Sequence, residues 1–317
     1  MATTPTIPPF PSPDVAPMPA PGRPAVGPRR PRSLHPGGGR VPARRAAATV
    51  SATATATGIG TAAVVEDPWL ATQVVVASDR CGPAGMGNGG WVAGTVAAYL
   101  GPGPVEVTLV APTPLDRPVD LRAADDRASL SDGDRLLVSA RRVGTRPSAP
   151  PSVGWDPAVA AGTRFAGHGD DHPVPGCFVC GTTRPDGLRL FTGPVAGAAF
   201  GSRPLVATAY TPEPAHAGSD GRLVPAAVWA LLDCPGFWVG HRPGMLALLG
   251  RLTAHVTGEV RVGRRYVVVA ALVGGEGRRF VSRVAVHDVD AGVPVAAAVA
   301  TWVTVAGPSA DPVAGAA

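Results

Sequence analysis

The sequence predicts an α+β chain in which one unit occurs twice: a short strand, a polar Gly-bearing loop, a mostly apolar helix and a run of strands. Three observations carry this reading. From about Glu66 the texture changes to apolar runs punctuated by Gly and Pro. Each half holds a single helical stretch. The strands of the second half are long and Val-rich, as a sheet with one buried face requires. Each half then wraps an antiparallel sheet around its own helix.

The elements follow in order. Residues 71–77 read as a short strand, 82–90 as a Gly-rich turn and 90–100 as a helix. Residues 105–111 alternate as a strand and end at Pro112. Strands at 119–123, 127–130 and 135–142 follow, divided by Asp125-Asp126 and Asp132-Gly133. Residues 144–176 are rich in Pro, Gly and Asp and read as a linker anchored by Trp155. The second half repeats the order, with strands at 188–191 and 205–210 and a polar loop at 216–221. Its helix, 224–233, is stopped by Pro235-Gly236. Strands at 248–260, 265–273, 279–288 and 293–305 close the unit, with turns at Gly274-Gly275 and 290–292. The organisation expected is an arm over 1–65, repeats over 66–143 and 177–306 joined by the linker 144–176, and a disordered end over 307–317.

Composition narrows the function. All 28 basic residues are Arg, which excludes a lysine Schiff base or a P-loop. The net charge of +5 is a property of the arm: residues 1–45 hold seven Arg and only Asp14, whereas residues 46–317 hold 21 Arg against 22 acids. A basic, Pro-rich arm is read as disordered, and the near-neutral remainder gives no reason to expect a nucleic-acid partner. Arg44-Arg45 before an Ala/Thr/Val run faintly resembles a twin-arginine export signal, but Thr and Ser interrupt that run and a long segment precedes it. A flexible arm is the plainer reading. No stretch of 18 strongly apolar residues is present, so no membrane span is expected, and four Cys in 317 residues fit a reduced, cytoplasmic setting.

An antiparallel sheet wrapped around a single helix is the hotdog arrangement, and two copies would let one chain do what a homodimer usually does. The expected class is therefore a tandem (double) hotdog with two antiparallel sheets, each wrapping one central helix. The run Asn88-Gly89-Gly90-Trp91-Val92-Ala93-Gly94, with Val105-Glu106-Val107-Thr108-Leu109 and Pro112-Thr113-Pro114-Leu115-Asp116-Arg117-Pro118, resembles the helix start and following strands of acyl-CoA thioesterase families. Cys177-Phe178-Val179-Cys180-Gly181, Asp186-Gly187-Leu188-Arg189-Leu190 and Leu231-Leu232-Asp233-Cys234 are similar to hotdog thioesterases related to phenylacetate-pathway enzymes. The resemblance covers roughly 66–306.

It implies a backbone N–H donor from a Gly at the helix start and an acid eight residues on, contributed from opposite subunits. Eight from Gly89 is Ala97, and eight back from Asp233 is Pro225, which has no N–H. One half keeps the donor and the other keeps the acid. That predicts one composite site per chain, with Gly89 and Gly90 facing Asp233 and Asn88 a candidate substrate contact. The polar residues that assist the acid in the family find no match here, Gly82 standing where an Asn is expected. A non-catalytic acyl-CoA or lipid-like ligand binder is thus the alternative.

His216, in the loop before the second helix, is a candidate substrate contact, and Arg278 and Arg279 are candidates for the phosphates of coenzyme A. Cys177 and Cys180 have zinc-knuckle spacing but no second pair nearby in sequence, so they read as a buried turn with no metal. Cys234, beside Asp233, reads as a packed core thiol before a nucleophile. No cofactor is expected. The implied partner is an acyl-CoA or related thioester, and the expected state is a monomer or a homo-oligomer of double hotdogs.

Overall fold

The computed structural model describes residues 69–170 and 172–305. The arm expected over 1–65 and the terminus expected over 307–317 lie outside the described residues. Helix α1, Gly89–Ala97, begins where Asn88 caps it, its side-chain oxygen accepting the Trp91 N–H at 2.9 Å. Val92, Ala93 and Val96 are buried together with Gly90, Gly94 and Ala97, so α1 runs through the core and not along a surface. Gly101, at φ 68°, ends the short 3₁₀ turn that continues it.

Among the described residues, eleven antiparallel strands form one sheet: β1 (Leu70–Val75), β2 (Val105–Leu109), β3 (Pro118–Ala123), β4 (Arg127–Asp132), β5 (Arg135–Arg142), β6 (Gly193–Phe200), β7 (Arg203–Tyr210), β8 (Leu246–Val256), β9 (Tyr266–Glu276), β10 (Arg279–Asp288) and β11 (Val293–Val305). From the centre outward the order is β2-β5-β4-β3-β1 on one side and β8-β11-β10-β9-β7 on the other, with β6 beyond β7. Each label on one side differs from its counterpart by six, so the same strand order occurs twice. The expectation of two sheets is corrected. β2 and β8 pair directly, Val105 opposite Ala254 through Thr108 opposite Arg251, and two edges that would otherwise be open become one continuous ladder.

Helices α3 (Pro225–Leu231) and α1 lie against each other inside this sheet. A methyl group on Gly94 would stand 2.6 Å from Trp229 Cβ and 2.7 Å from Ala226 Cα, so only glycine allows this approach. The helix expected over 224–233 is not ended by Pro235-Gly236. The chain kinks at Asp233 (φ −89°, ψ −88°) and restarts as α4, Cys234–Trp238, because Pro in a first helical turn costs no hydrogen bond.

Three further differences follow from packing. The segment read as a linker contains α2, Trp155–Gly162, whose Ala158 and Ala161 pack with Leu205, Ala207, Val267, Val269 and Ala271. Both faces of β9 are therefore buried over Tyr266–Ala271, which removes the alternation of a one-faced strand. Residues 188–191 are no strand; the Leu188 and Leu190 N–H groups instead bond the carbonyls of Phe178 and Val179. The strand in this part of the chain is the edge strand β6. The expected turn at Gly274-Gly275 lies inside β9, and the chain reverses at Gly277, φ 56°.

Candidate active site

The kink between α3 and α4 leaves Asp233 at the start of α1. Its Oδ2 accepts the Gly90 N–H at 2.8 Å and the Asn88 Nδ2–H at 2.9 Å. Asn88 divides its two ends between tasks, since its oxygen caps α1 while its amide nitrogen holds the carboxylate. The residues that meet here come from opposite halves of the chain. Asp233 is 3% exposed. Burial pushes its carboxyl up to about 7, opposed by the Gly90 N–H and the Asn88 amide, while Cys177 adds to the rise. The positive end of the α1 dipole lies on the same side and favours the charged form.

Asp233 lines a cavity of about 280 Å³ whose walls are mostly apolar, among them Met86, Leu109, Phe237 and Leu249. Gly89 also lines it. Among the described residues the Gly89 N–H has no acceptor, as the first amides of a helix have none within the helix. Thr113 is buried in the same wall, and among the described residues its hydroxyl has no partner. An apolar pocket holding a buried carboxylate, an open backbone N–H and a hydroxyl can take a long apolar group and polarise a carbonyl at its end.

The segment after α2 closes the site. The Phe178 N–H bonds the Cys81 carbonyl at 2.8 Å, and Arg80 stacks on both Trp91 and Phe178. This brings Cys177 and Cys180 to the cavity wall, where they meet Cys234, 57 residues further along the chain from Cys177. Bonds with Cys180 and Cys234 hold the Cys177 thiol well below its ordinary value, whereas Cys180 and Cys234 are held well above theirs, chiefly by Cys177. The sequence carried only the C-x-x-C half of this cluster. Cys234 joins it through the fold.

The equivalent position in the other half is a cavity of about 380 Å³ lined by Ala97, Pro225, Leu223 and Trp229. Pro225 opens α3 without an N–H, and no buried carboxylate lines that cavity.

The remaining candidates lie elsewhere. His216 is buried edge-on against Phe178 at 5.5 Å and does not line the 280 Å³ cavity. Burial holds its imidazole below the ordinary 6.5, with Arg80 adding to the effect. Arg278 and Arg279 occupy the β9–β10 hairpin. Arg279 is in register with Val303, a cavity residue, but neither arginine lines the cavity.

No family model matches the chain, and no curated protein matches it. Solved structures do. The tesB protein of Mycobacterium avium subsp. paratuberculosis superposes with a TM-score of 0.51 at 11% identity, over 76% of this chain and 94% of that one. A candidate thioesterase of Novosphingobium aromaticivorans superposes with a TM-score of 0.50 at 16% identity, over 75% of this chain and 96% of that one. With these likenesses, and with one antiparallel sheet that repeats its strand order around buried helices, the chain has the hotdog fold.

Proposed function

We propose that this chain is an acyl-CoA thioesterase-like hydrolase made of two hotdog repeats, 66–143 and 177–306, with one composite site between them. The observation that supports it is the Asp233 carboxylate of one half held on the Gly90 N–H of the other, in the wall of an apolar cavity. The acyl chain of a thioester fills the cavity, and its carbonyl oxygen accepts the Gly89 N–H. Asp233 takes a proton from water as the water oxygen attacks the thioester carbon. The oxyanion collapses, the C–S bond breaks, and Asp233 returns the proton to the departing thiolate. Asn88 and the Gly90 N–H position the carboxylate throughout. The two repeats supply each other's sheet edge at β2–β8, so the single chain is the smallest complete unit. A cytoplasmic setting suits its four unpaired thiols.

The test is thiol release from a panel of acyl-CoA esters. Asp233→Asn keeps the side-chain size and removes the base, so turnover should fall by about 10²–10⁴, roughly 3–5 kcal/mol of barrier, with binding retained. Tight binding of acyl-CoA by a wild type that releases no thiol would instead make this a ligand-binding protein.

A further inference from the structure

We propose that Cys177, Cys180 and Cys234 form a thiolate site for a Zn²⁺ ion whose fourth coordination position opens into the cavity beside Asp233. The three sulfurs lie within 4.8 Å of one another, and all three residues are buried and line the cavity. Two thiolates on one tetrahedral zinc stand about 3.8 Å apart, given Zn–S bonds of about 2.3 Å. Cys177 Sγ and Cys234 Sγ stand 3.7 Å apart.

The backbone around Cys177 has the shape of a metal-binding knuckle. The Val179 N–H points at Cys177 Sγ at 3.4 Å, and the Gly181 N–H closes the turn on the Cys177 carbonyl at 2.8 Å. A methyl group on Gly181 would collide with that carbonyl, so the turn requires glycine where it does. Asn88 Nδ2 lies 3.9 Å from the same sulfur. N–H groups aimed at a sulfur stabilise its thiolate form, the form that binds metal.

His172 completes the support without being a ligand. Its Nδ1 accepts the Val174 N–H at 3.0 Å, which leaves Nε2 to donate to the Cys180 carbonyl at 2.9 Å. Both nitrogens are thereby engaged in holding the turn. Three protein ligands with one position open to a cavity is the coordination of a zinc that meets a small molecule, whereas a purely structural zinc is closed by four. Three thiolates are a soft donor set suited to zinc. The inference stands on sulfur geometry and is independent of whether the protein hydrolyses thioesters.

The experiment uses the full chain. Protein purified without chelator is analysed for zinc, stripped with a chelator under reducing conditions with its four thiols verified, and titrated with Zn²⁺ and separately with Co²⁺. We expect one zinc per chain, a rise in Tm on re-addition of Zn²⁺, and sulfur-to-cobalt charge-transfer absorption with Co²⁺. Cys234→Ser should weaken that absorption and lower zinc retention. Cys81→Ser should leave both intact, because the Cys81 thiol bonds the Gly176 carbonyl outside the cluster. If Cys234→Ser does not fold, the wild-type cobalt spectrum decides alone. Reduced wild type that shows no charge-transfer band in excess Co²⁺, or zinc retained equally by Cys234→Ser, would overturn the assignment.

Discussion

Gly94→Ala pits two effects of opposite sign against each other. Alanine is the better helix former by about 1 kcal/mol in a helix interior, so propensity alone expects α1 to gain stability. The packing expects the reverse. The new methyl would meet Trp229 Cβ at 2.6 Å, Ala226 Cα at 2.7 Å and Trp229 Cγ at 2.9 Å. Ordinary carbon contacts lie at about 3.5–4.0 Å, so α1 and α3 must part by roughly 1 Å. One of these atoms is backbone and cannot rotate away. Overpacking of a dense core typically costs about 1–3 kcal/mol, and this site falls at the upper end. The net loss is about 2 kcal/mol, or a Tm lowered by roughly 4–8 °C for a domain of this size. Thermal and urea unfolding of both proteins reads it directly. A Gly94→Ala protein as stable as the wild type, or more so, would show that the helices are not pressed together as described.

Two further outcomes follow. His287 is buried, near the Pro150 carbonyl at 3.1 Å, and burial holds its imidazole below 6.5. The unfolded chain therefore binds its proton first as pH falls, so this contribution is full above about pH 6.5 and is lost below it, by at most about 1.4 kcal/mol per pH unit. Because buried Asp233 acts with the opposite sign over the same range, the quantity read is the difference in urea stability between wild type and His287→Gln, which should shift against the wild type as pH falls from about 8 to about 5. Expression of residues 66–150 alone should give an aggregated or self-associating product, because β2 loses its partner β8 and α1 its partner α3; a soluble monomeric half would refute the dependence of each half on the other.

How much of this was legible in the sequence varied with what covers each element. Residues 135–142, 279–288 and 293–305 form strands at the bounds expected, because turn residues such as Asp132-Gly133 and Asp290 flank runs whose apolar residues are mostly Val, Leu and Ala. β6 was missed because Gly193, Gly197 and four small or constrained neighbours give it almost no apolar pattern, and an edge strand needs little. α2 was missed because its length barely exceeds two turns inside a Pro-rich stretch. Only its packing on β6 and β7 makes it a helix. At the site, the count of eight from Gly89 and from Pro225 pointed to the pairing of Asp233 with the start of α1, whereas Asn88, expected as a substrate contact, instead caps α1 and holds the carboxylate. The thiol cluster was not. Cys234 reaches Cys177 only because the chain restarts at Pro235, a residue that by local rules marks an end.

Ala97→Asp tests whether the two ends of the helix pair differ for the reason given. Ala97 occupies, at the end of α1, the place that Asp233 occupies after α3, and it is 5% exposed. A carboxylate is tolerated at 233 because two donors meet it, the Gly90 N–H and the Asn88 amide. At 97 the facing helix begins with Pro225, which has no N–H, and its cap is Val224, which has no polar side chain. A carboxylate placed there is buried without partners, at a cost of several kcal/mol or the uptake of a proton. Ala97→Asp should therefore lower Tm by several degrees and add no second activity, whatever substrate the wild type accepts. Adding a donor as well, in Val224→Asn with Pro225→Gly, should recover part of the lost stability, since it rebuilds the Asn88-Gly89 pattern opposite the new acid. Equal Tm values for the single and triple variants would show that the missing donors are not what keeps an acid out of position 97.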